Sequence, residues 1–110
     1  MSKDTISFDD FLKLDLRIGT VTKAEAVPKS KKLLKLEVSF GTESRVIMAG
    51  IAGSFNPETI PGTQVVAVLN LAPREMMGVT SHGMLLAAHA ADGVIVLASC
   101  PGAPDGADLG

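Results

Sequence analysis

The sequence predicts an all-β domain, a barrel of five short strands with a short N-terminal helix and extra strands near the C-terminus. Several apolar runs alternate with polar residues at the period of two that is typical of half-buried strands. Gly and Pro interrupt these runs at short intervals. One stretch near the N-terminus has helical spacing instead. We therefore expect one small helix and five or more strands around a single core.

The N-terminal segment predicts a short helix over residues 7–13. Ser7 is followed three residues later by Asp10, an arrangement that resembles an N-terminal capping box. Asp9 and Asp10 would lie in the first turn, where the helix dipole stabilises negative charge. We expect the apolar face of this helix to require a partner that buries it. Its apolar residues are Phe8, Phe11, Leu12 and Leu14.

Three strands are predicted next. Residues 16–27 form a long first strand, in which Gly19 suggests a bend or a bulge. Pro28 ends this strand. Apolar and polar side chains then alternate strictly over residues 34–40, which is the clearest strand pattern in the chain. A turn that begins with Gly leads into the third strand at residues 45–49, so the second and third strands form a hairpin.

The second half of the chain predicts further strands and one unusual interruption. Residues 50–59 are typical of a loop or one helical turn, and residues 64–69 form a buried strand. Residues 70–82 are too many for a plain hairpin turn, so we interpret them as a long functional loop that crosses the barrel. Residues 83–89 and 93–97 predict a second hairpin around an Asp-Gly turn signal.

This order of elements indicates one domain over residues 1–110 with the OB-fold arrangement, a five-stranded barrel with a helix between the third and fourth strands. Its strand faces and loops commonly bind oligonucleotides or oligosaccharides. The tail after Pro101 is rich in Gly and Pro, and it is either a loose end or an extended arm bound to a partner. Fold alone does not fix function, so the side chains have to be considered.

Composition argues against several classes of protein. No run of about eighteen apolar residues could cross a membrane, and the charged N-terminus lacks a signal-peptide core, so we expect a cytoplasmic protein without a membrane partner. Cys100 is the single cysteine, and no Cys/His set has zinc-ligand spacing, so we expect no metal and no cofactor. Cys100 with His82 and His89 elsewhere is the minimal nucleophile pattern, but no catalytic signature surrounds it. We expect no catalysis.

Charge is distributed unevenly, although the net charge is only −2. All 10 Lys and Arg residues lie at or before Arg74, and only acids follow it. The densest basic cluster is PKSKKLLK, which has no acid between Glu25 and Glu37. Any site for a polyanion should therefore lie there and at Arg74. Without other information, a lysine run of this kind is more often a solvated turn.

Three stretches, in order along the chain, carry a specific likeness: DFLKLDLRIGTVTKAEAVPKSKKLLKLEV, IMAGIAG and VVAVLNLAPREMMGVTSHGMLLAA. They resemble the tRNA-binding domain that is appended to methionyl-tRNA synthetases and is also found alone in small homodimers, among them the secretion chaperone CsaA. The resemblance runs from about residue 6 to the C-terminus. It implies an OB-fold that binds tRNA by shape, without catalysis, and a homodimer in the free-standing members. The sequences IMAGIAG and KKLLKLEV favour the synthetase branch of the family over the chaperone branch.

Recognition of folded RNA requires cations against phosphates and a few polar groups for the 2′-hydroxyl or an exposed base. The lysine cluster and Arg74 could supply the cations, and polar residues of the 70–82 segment could supply the rest. Arg17, in the DLRIG motif, is either a contact on the barrel face or one half of a surface pair with Asp15. The candidate RNA-binding residues are Arg17, Lys29, Lys31, Lys32, Lys35, Asn70, Arg74, Ser81 and His82.

The chain departs from the family in its basic residues. The family usually carries two or three of them in the stretch that corresponds to NLAPREMMGVTSHGM, whereas here Arg74 stands alone beside the acidic Glu75. The loop before the second strand, VPKSKKL, has gained positive charge instead. We therefore expect RNA binding that is weaker than is typical of the family.

Small and apolar residues in and just after the 70–82 segment have structural interpretations as well. Gly78 and Gly83 predict positive φ or close approach of the backbone. Met76, Met77 and Met84 could anchor the segment to the core, but two adjacent methionines cannot both face one core, so one of them should be exposed.

Two partners and one alternative function follow. Beside tRNA, we expect a second copy of the chain, and a methionyl-tRNA synthetase catalytic chain is another candidate partner. The candidate dimer-interface residues are Phe8, Phe11, Leu12, Met77 and Pro101. The alternative is a CsaA-like export chaperone, which would bind unfolded polypeptides through exposed apolar patches rather than through the lysines.

Overall fold

A curled antiparallel sheet of five strands forms the centre of the computed structural model, which describes residues 2–110. In chain order the elements are α1 (Phe8–Leu12), β1 (Leu16–Ala26), β2 (Leu34–Ser39), β3 (Ser44–Ala49), β4 (Gln64–Val68), β5 (Arg74–Met76), β6 (Val79–Ser81), β7 (Met84–Leu85), β8 (Ala87–His89) and β9 (Ile95–Leu97). The central sheet has the order β3-β2-β1-β4-β7, and β5-β6 and β8-β9 form two small hairpins. Among residues 2–110, no helix is long and apolar enough to cross a membrane.

The sheet curls so far that its two edges meet. The His82 amide, just before β7, donates to the Val46 carbonyl of β3 over 2.9 Å. Inward-facing side chains such as Leu36, Ile47 and Val65 are almost fully buried inside the curl. The predicted all-β barrel of the OB type is confirmed, and the connection between β3 and β4 consists of single helical turns rather than a longer helix.

The predicted N-terminal helix is confirmed, and its cap acts as expected. The Ser7 hydroxyl accepts a hydrogen bond from the Asp10 amide over 3.1 Å. Lys13 donates to the Asp10 carboxylate and lowers the pKa of that group. The helix buries none of its residues, and Phe8 is 72% exposed. Its apolar face therefore remains open in the single chain.

The bulge in β1 lies at Thr22, not at Gly19 as the sequence suggested. The register of β1 against β2 shifts between Val21 and Lys23. Gly19 has a different reason to lack a side chain, because a Cβ there would lie 2.7 Å from the Phe40 ring. The constraint on Gly19 comes from side chains at the end of the adjacent strand β2 and not from the local backbone.

The predicted long loop at residues 70–82 is in fact a β-hairpin, so this expectation was wrong in form. β5 pairs with β6, and Met77 and Gly78 form the turn with φ values of 51° and 80°. Two consecutive residues with positive φ are typical of a type I′ turn. The strands are three residues long, and the turn lacks the usual Asn-Gly signal, which is why the sequence pattern did not reveal them.

The C-terminal part of the chain also differs from expectation. β8 and β9 form the predicted second hairpin, whereas residues 84–85 belong to the central sheet. The tail is not a loose end. It folds back onto β1, where the Ile18 amide donates to Ala107 over 2.9 Å and the Leu109 amide donates to Leu16 over 3.0 Å. The tail thus completes the barrel wall beside the start of β1.

Candidate nucleic-acid interface

Cations without an ion pair identify the candidate surface. Four cationic side chains pair with carboxylates: Lys13, Arg17, Lys35 and Arg45. The other cations of the chain form no ion pair with the described residues; they are Lys3, Lys23, Lys29, Lys31, Lys32 and Arg74. Three of these lie together on one loop, so the sequence cluster remains available for an anion.

The loop between β1 and β2, residues 27–33, holds these three lysines in a fixed backbone. The Ser30 hydroxyl accepts from the Leu33 amide over 3.1 Å, and the Ser30 amide donates to Val27 over 3.1 Å. The Lys32 carbonyl accepts from the Ala52 amide over 3.0 Å. Val27 is buried, and it anchors the start of the loop in the core. The exposed ammonium groups therefore project from an ordered platform.

Lys35 and Arg74 extend this surface along one side of the barrel. Lys35 on β2 is opposite Met48 on β3, and the Met48 amide donates to the hydroxyl of Ser81, which pairs with Arg74. The backbones of Lys35 and Arg74 are therefore separated by three inter-strand spacings, or roughly 15 Å. Lys35 also lies 3.5 Å from the Glu25 carboxylate, so part of its charge is balanced.

The β5–β6 hairpin connects the two sources of positive charge. Arg74 lies at its base, and Met77 at its tip lines a cavity together with Val27 and Pro28 of the lysine loop. The exposed side chain of Arg74 and the loop lysines therefore flank the same hairpin. We call the β1–β2 loop, Lys35 and the β5–β6 hairpin the basic surface.

Ser81 is buried rather than exposed, unlike the expectation of a polar contact on the rim. Its hydroxyl accepts from the Met48 amide over 3.0 Å and donates to the Gly83 carbonyl over 3.1 Å. The side chain is fully used in fixing β6 to β3. His82 follows it and is exposed, and its backbone takes part in closing the barrel.

Asn70 and Arg17 lie outside the basic surface and are occupied within the protein. The Asn70 side chain accepts from the Asp15 amide over 2.8 Å and donates to the Lys13 carbonyl, so it holds the end of α1 against β4. Arg17 donates to Asp15 over 2.6 Å and to the Gly106 carbonyl over 3.1 Å. The Asp15 carboxylate raises the pKa of Arg17. The surface pair considered for Arg17 is therefore present, and Arg17 also fixes the tail.

Arg45 has a structural role that the sequence pattern does not indicate. Its Nη1 atom donates to the carbonyls of Leu69 over 2.7 Å and of His82 over 3.3 Å, which are the residues just before and at the end of the 70–82 segment. Glu43 holds the same guanidinium through Nε over 3.0 Å. Arg45 thus positions the base of the β5–β6 hairpin. No local sequence signal marks it, because its partners are distant in sequence.

Two of the methionines near the hairpin lie at the surface. Met77 is 52% exposed, which agrees with the expectation that one of the adjacent pair is at the surface. Met84 was expected to anchor the segment to the core, and this was wrong, because it is 48% exposed. Gly78 and Gly83 both have positive φ as predicted.

The candidate dimer residues do not form one cluster in the single chain. Phe8 and Leu12 are exposed on α1, and Phe11 beside them is half-buried. Met77 lines the cavity at the hairpin tip, whereas Pro101 lines a separate groove. Only the helix residues share one element. In residues 2–110, no group of three or more His, Cys, Asp or Glu side chains could hold a metal ion.

Comparison with protein families gives one match over most of the chain. The model described as "Putative tRNA binding domain" matches residues 16–108. The methionine–tRNA ligase of Salinibacter ruber is 55% identical over 93 residues, which are 84% of this chain and 13% of the ligase. That of Flavobacterium psychrophilum is 46% identical over 108 residues, or 98% of this chain and 15% of the ligase. The chain thus spans a small fraction of these relatives.

Solved structures include matches of the same length as this chain. The MetRS-related protein from Pyrococcus horikoshii has a TM-score of 0.90 and 40% identity, covering 97% of this chain and 99% of that one. The chaperone CsaA from Bacillus anthracis has a TM-score of 0.87 and 37% identity, covering 97% of this chain and 100% of that one. The fold therefore occurs both within long ligases and in chains of about this size.

Proposed function

This chain belongs to the family of tRNA-binding domains, and on that premise we propose that it binds folded tRNA through the basic surface. The observation that carries the proposal is the cluster of Lys29, Lys31 and Lys32. Their ammonium groups have no ion-pair partner among the described residues, and their loop is fixed by backbone hydrogen bonds. An ordered platform of unpaired cations attracts phosphates at little cost in conformational entropy. The family is one of binding modules, not of catalysts.

The aromatic residues support recognition of folded RNA over single strands. Proteins that bind single strands stack bases on aromatic side chains. The chain has four Phe and neither Trp nor Tyr. Phe8 and Phe11 lie on α1, and Phe40 is buried in the core. Phe55 packs against the core on another loop. The basic surface therefore offers cations without an aromatic platform, which suits contacts to the backbone of a folded RNA.

Arg74→Glu is expected to weaken tRNA binding by about tenfold at moderate salt, because a favourable phosphate contact becomes a repulsive one. The side chain is exposed and forms no ion pair, so the fold should be unaffected. Binding would be measured by fluorescence anisotropy with labelled tRNA. Lys3→Glu is the control, since it makes the same charge change at the N-terminus. Equal affinity of Arg74→Glu and wild type would remove the hairpin from the site.

We infer that the chain acts either as the tRNA-binding part of a methionine–tRNA ligase or as a free-standing homodimer. The relatives named as ligases support the first context, and the MetRS-related protein of matching length supports the second. The apolar residues Phe8 and Leu12 are exposed on the five-residue helix α1. Contact with a second copy of the chain would remove their apolar surface from water, which supports dimerisation.

Dimerisation is expected to be visible as twice the chain mass of 11.4 kDa in sedimentation equilibrium. Phe8→Ser with Leu12→Ser should shift the protein toward monomer, because the open apolar face would be lost. Val94→Ser is the control, since it removes an exposed apolar side chain from a different hairpin. A wild-type monomer at all concentrations would contradict this part of the proposal.

A second candidate function is that of a chaperone, as the CsaA neighbour is named, and it would require this chain to bind unfolded polypeptide. One observation favours it. A groove of about 400 Å³ is lined by Phe55, Val96, Leu97 and Pro101, and Val96 is 56% exposed. Binding in such a groove would persist at high salt, whereas binding to phosphates would weaken.

A further inference from the structure

A cavity of about 260 Å³ lies inside the basic surface, between the lysine loop and the tip of the β5–β6 hairpin. Five of its seven lining residues are apolar, among them Val27 and Pro28 of the loop and Met77 and Val79 of the hairpin, and the other two are Glu25 and Lys35. Phosphate contacts alone would not need an apolar cavity at this place. The cavity therefore has a chemistry different from that of its cationic surroundings.

The backbone is strained on both sides of this cavity. Lys29 and Met77 are the two residues other than Gly with positive φ in residues 2–110, at 67° and 51°. The left-handed conformation costs roughly 1–2 kcal/mol for such side chains, and the turn at Met77 would ordinarily favour Asn. Met77 is 52% exposed, so core packing does not explain its presence. Strain of this kind is common at ligand sites.

A charged pair borders the cavity. Glu25 and Lys35 both line it, with Nζ and Oε1 3.5 Å apart. The Glu25 side chain is 68% exposed, so the pair is weak and its members can turn toward a ligand. A carboxylate in a surface for polyanions repels phosphate, but it attracts hydrogen-bond donors. Among the parts of an RNA, those donors include the amino groups of bases.

We propose that this cavity takes one unpaired nucleobase of the bound RNA, preferably one with an amino group. Met77 and Pro28 contact the faces of the base, Lys29 and Lys35 contact the adjoining phosphates, and the Glu25 carboxylate accepts a hydrogen bond from the amino group. Adenine, cytosine and guanine carry such a group, whereas uracil does not. The inference rests on the proposed function and names the part of the RNA that the basic surface selects.

The test compares hairpin RNAs that carry a single bulged A, C, G or U with the same hairpin fully paired. Wild-type protein is expected to bind the A, C and G bulges about tenfold more tightly than the paired hairpin, with the U bulge in between. Met77→Asn should abolish the preference for bulges, since Asn tolerates positive φ but offers no apolar wall. Glu25→Ala should make all four bulges equivalent without weakening the paired hairpin.

Val94→Asn is the matched control, because Val94 is exposed to a similar degree, 47%, on the β8–β9 hairpin. It should leave every affinity unchanged. Equal binding of bulged and paired hairpins by wild type, or a bulge preference that survives Met77→Asn, overturns the cavity proposal while RNA binding itself stands. Absence of binding to any of these RNAs and to tRNA overturns the proposed function along with it.

Discussion

Replacing Lys29, Lys31 and Lys32 together should weaken tRNA binding by about 100-fold at 0.15 M salt. Each phosphate contact contributes roughly 0.9 to the slope of log affinity against log salt, which amounts to about four- to sixfold in affinity at that concentration. Three contacts multiply to about two orders of magnitude. The variant is Lys29→Asn with Lys31→Gln and Lys32→Gln, where Asn keeps the positive φ of position 29. The salt slope should fall by about three.

The matched control removes three charges outside the β1–β2 loop: Lys3, Lys13 and Lys23 are changed to Gln. The net charge of the two variants is then equal, so a global electrostatic effect would weaken both alike. We expect the control to lose no more than about threefold. Equal losses would show that overall charge governs binding, and undiminished binding of the loop variant would exclude the loop as the site. Titrations at several salt concentrations provide both affinity and slope.

Gly106→Ala should lower the free energy of unfolding by about 2–4 kcal/mol, which combines left-handed strain with overpacking. Gly106 has a φ of 86°, and a Cβ there would lie 2.6 Å from the Phe40 carbonyl oxygen. The tail cannot easily move aside, because the Gly106 amide donates to Ile18 over 2.8 Å. Arg17 also donates to the Gly106 carbonyl. Urea denaturation measures the loss.

Gly102→Ala separates strain from packing. Its φ of 93° is similar, but a Cβ at Gly102 would meet nothing within 4 Å. We expect it to cost only about 1 kcal/mol, the strain of the left-handed conformation. Equal decreases in the free energy of unfolding for Gly102→Ala and Gly106→Ala would contradict close packing of the tail against Phe40.

Local patterns allowed the sequence to predict much of the fold. The strict alternation in β2 requires only neighbouring residues, and Ser7 caps α1 through a contact three residues away. The reasons for Gly19 and for the course of the tail lie elsewhere in the chain. Phe40 excludes a side chain at Gly19, and the backbone of β1 binds the tail. Packing between distant segments has no local signature, so these features could not be predicted.

The candidate site likewise has some features that the sequence predicts and others that depend on distant contacts. The lysine cluster is visible in the sequence because charge density is a local property, and the structure leaves those lysines unpaired among the described residues. The burial of Ser81 and the bonds of Arg45 to Leu69 depend on how the β5–β6 hairpin lies against β3. The cavity at Met77 likewise exists only because the hairpin tip approaches Pro28.

Binding of unfractionated folded tRNA, compared with a single-stranded RNA of equal length at two salt concentrations, tests the central claim most directly. We expect the protein to prefer folded tRNA and its affinity to fall steeply as salt rises. Equal affinity for the two RNAs, or binding that does not respond to salt, would contradict recognition of folded tRNA by the basic surface.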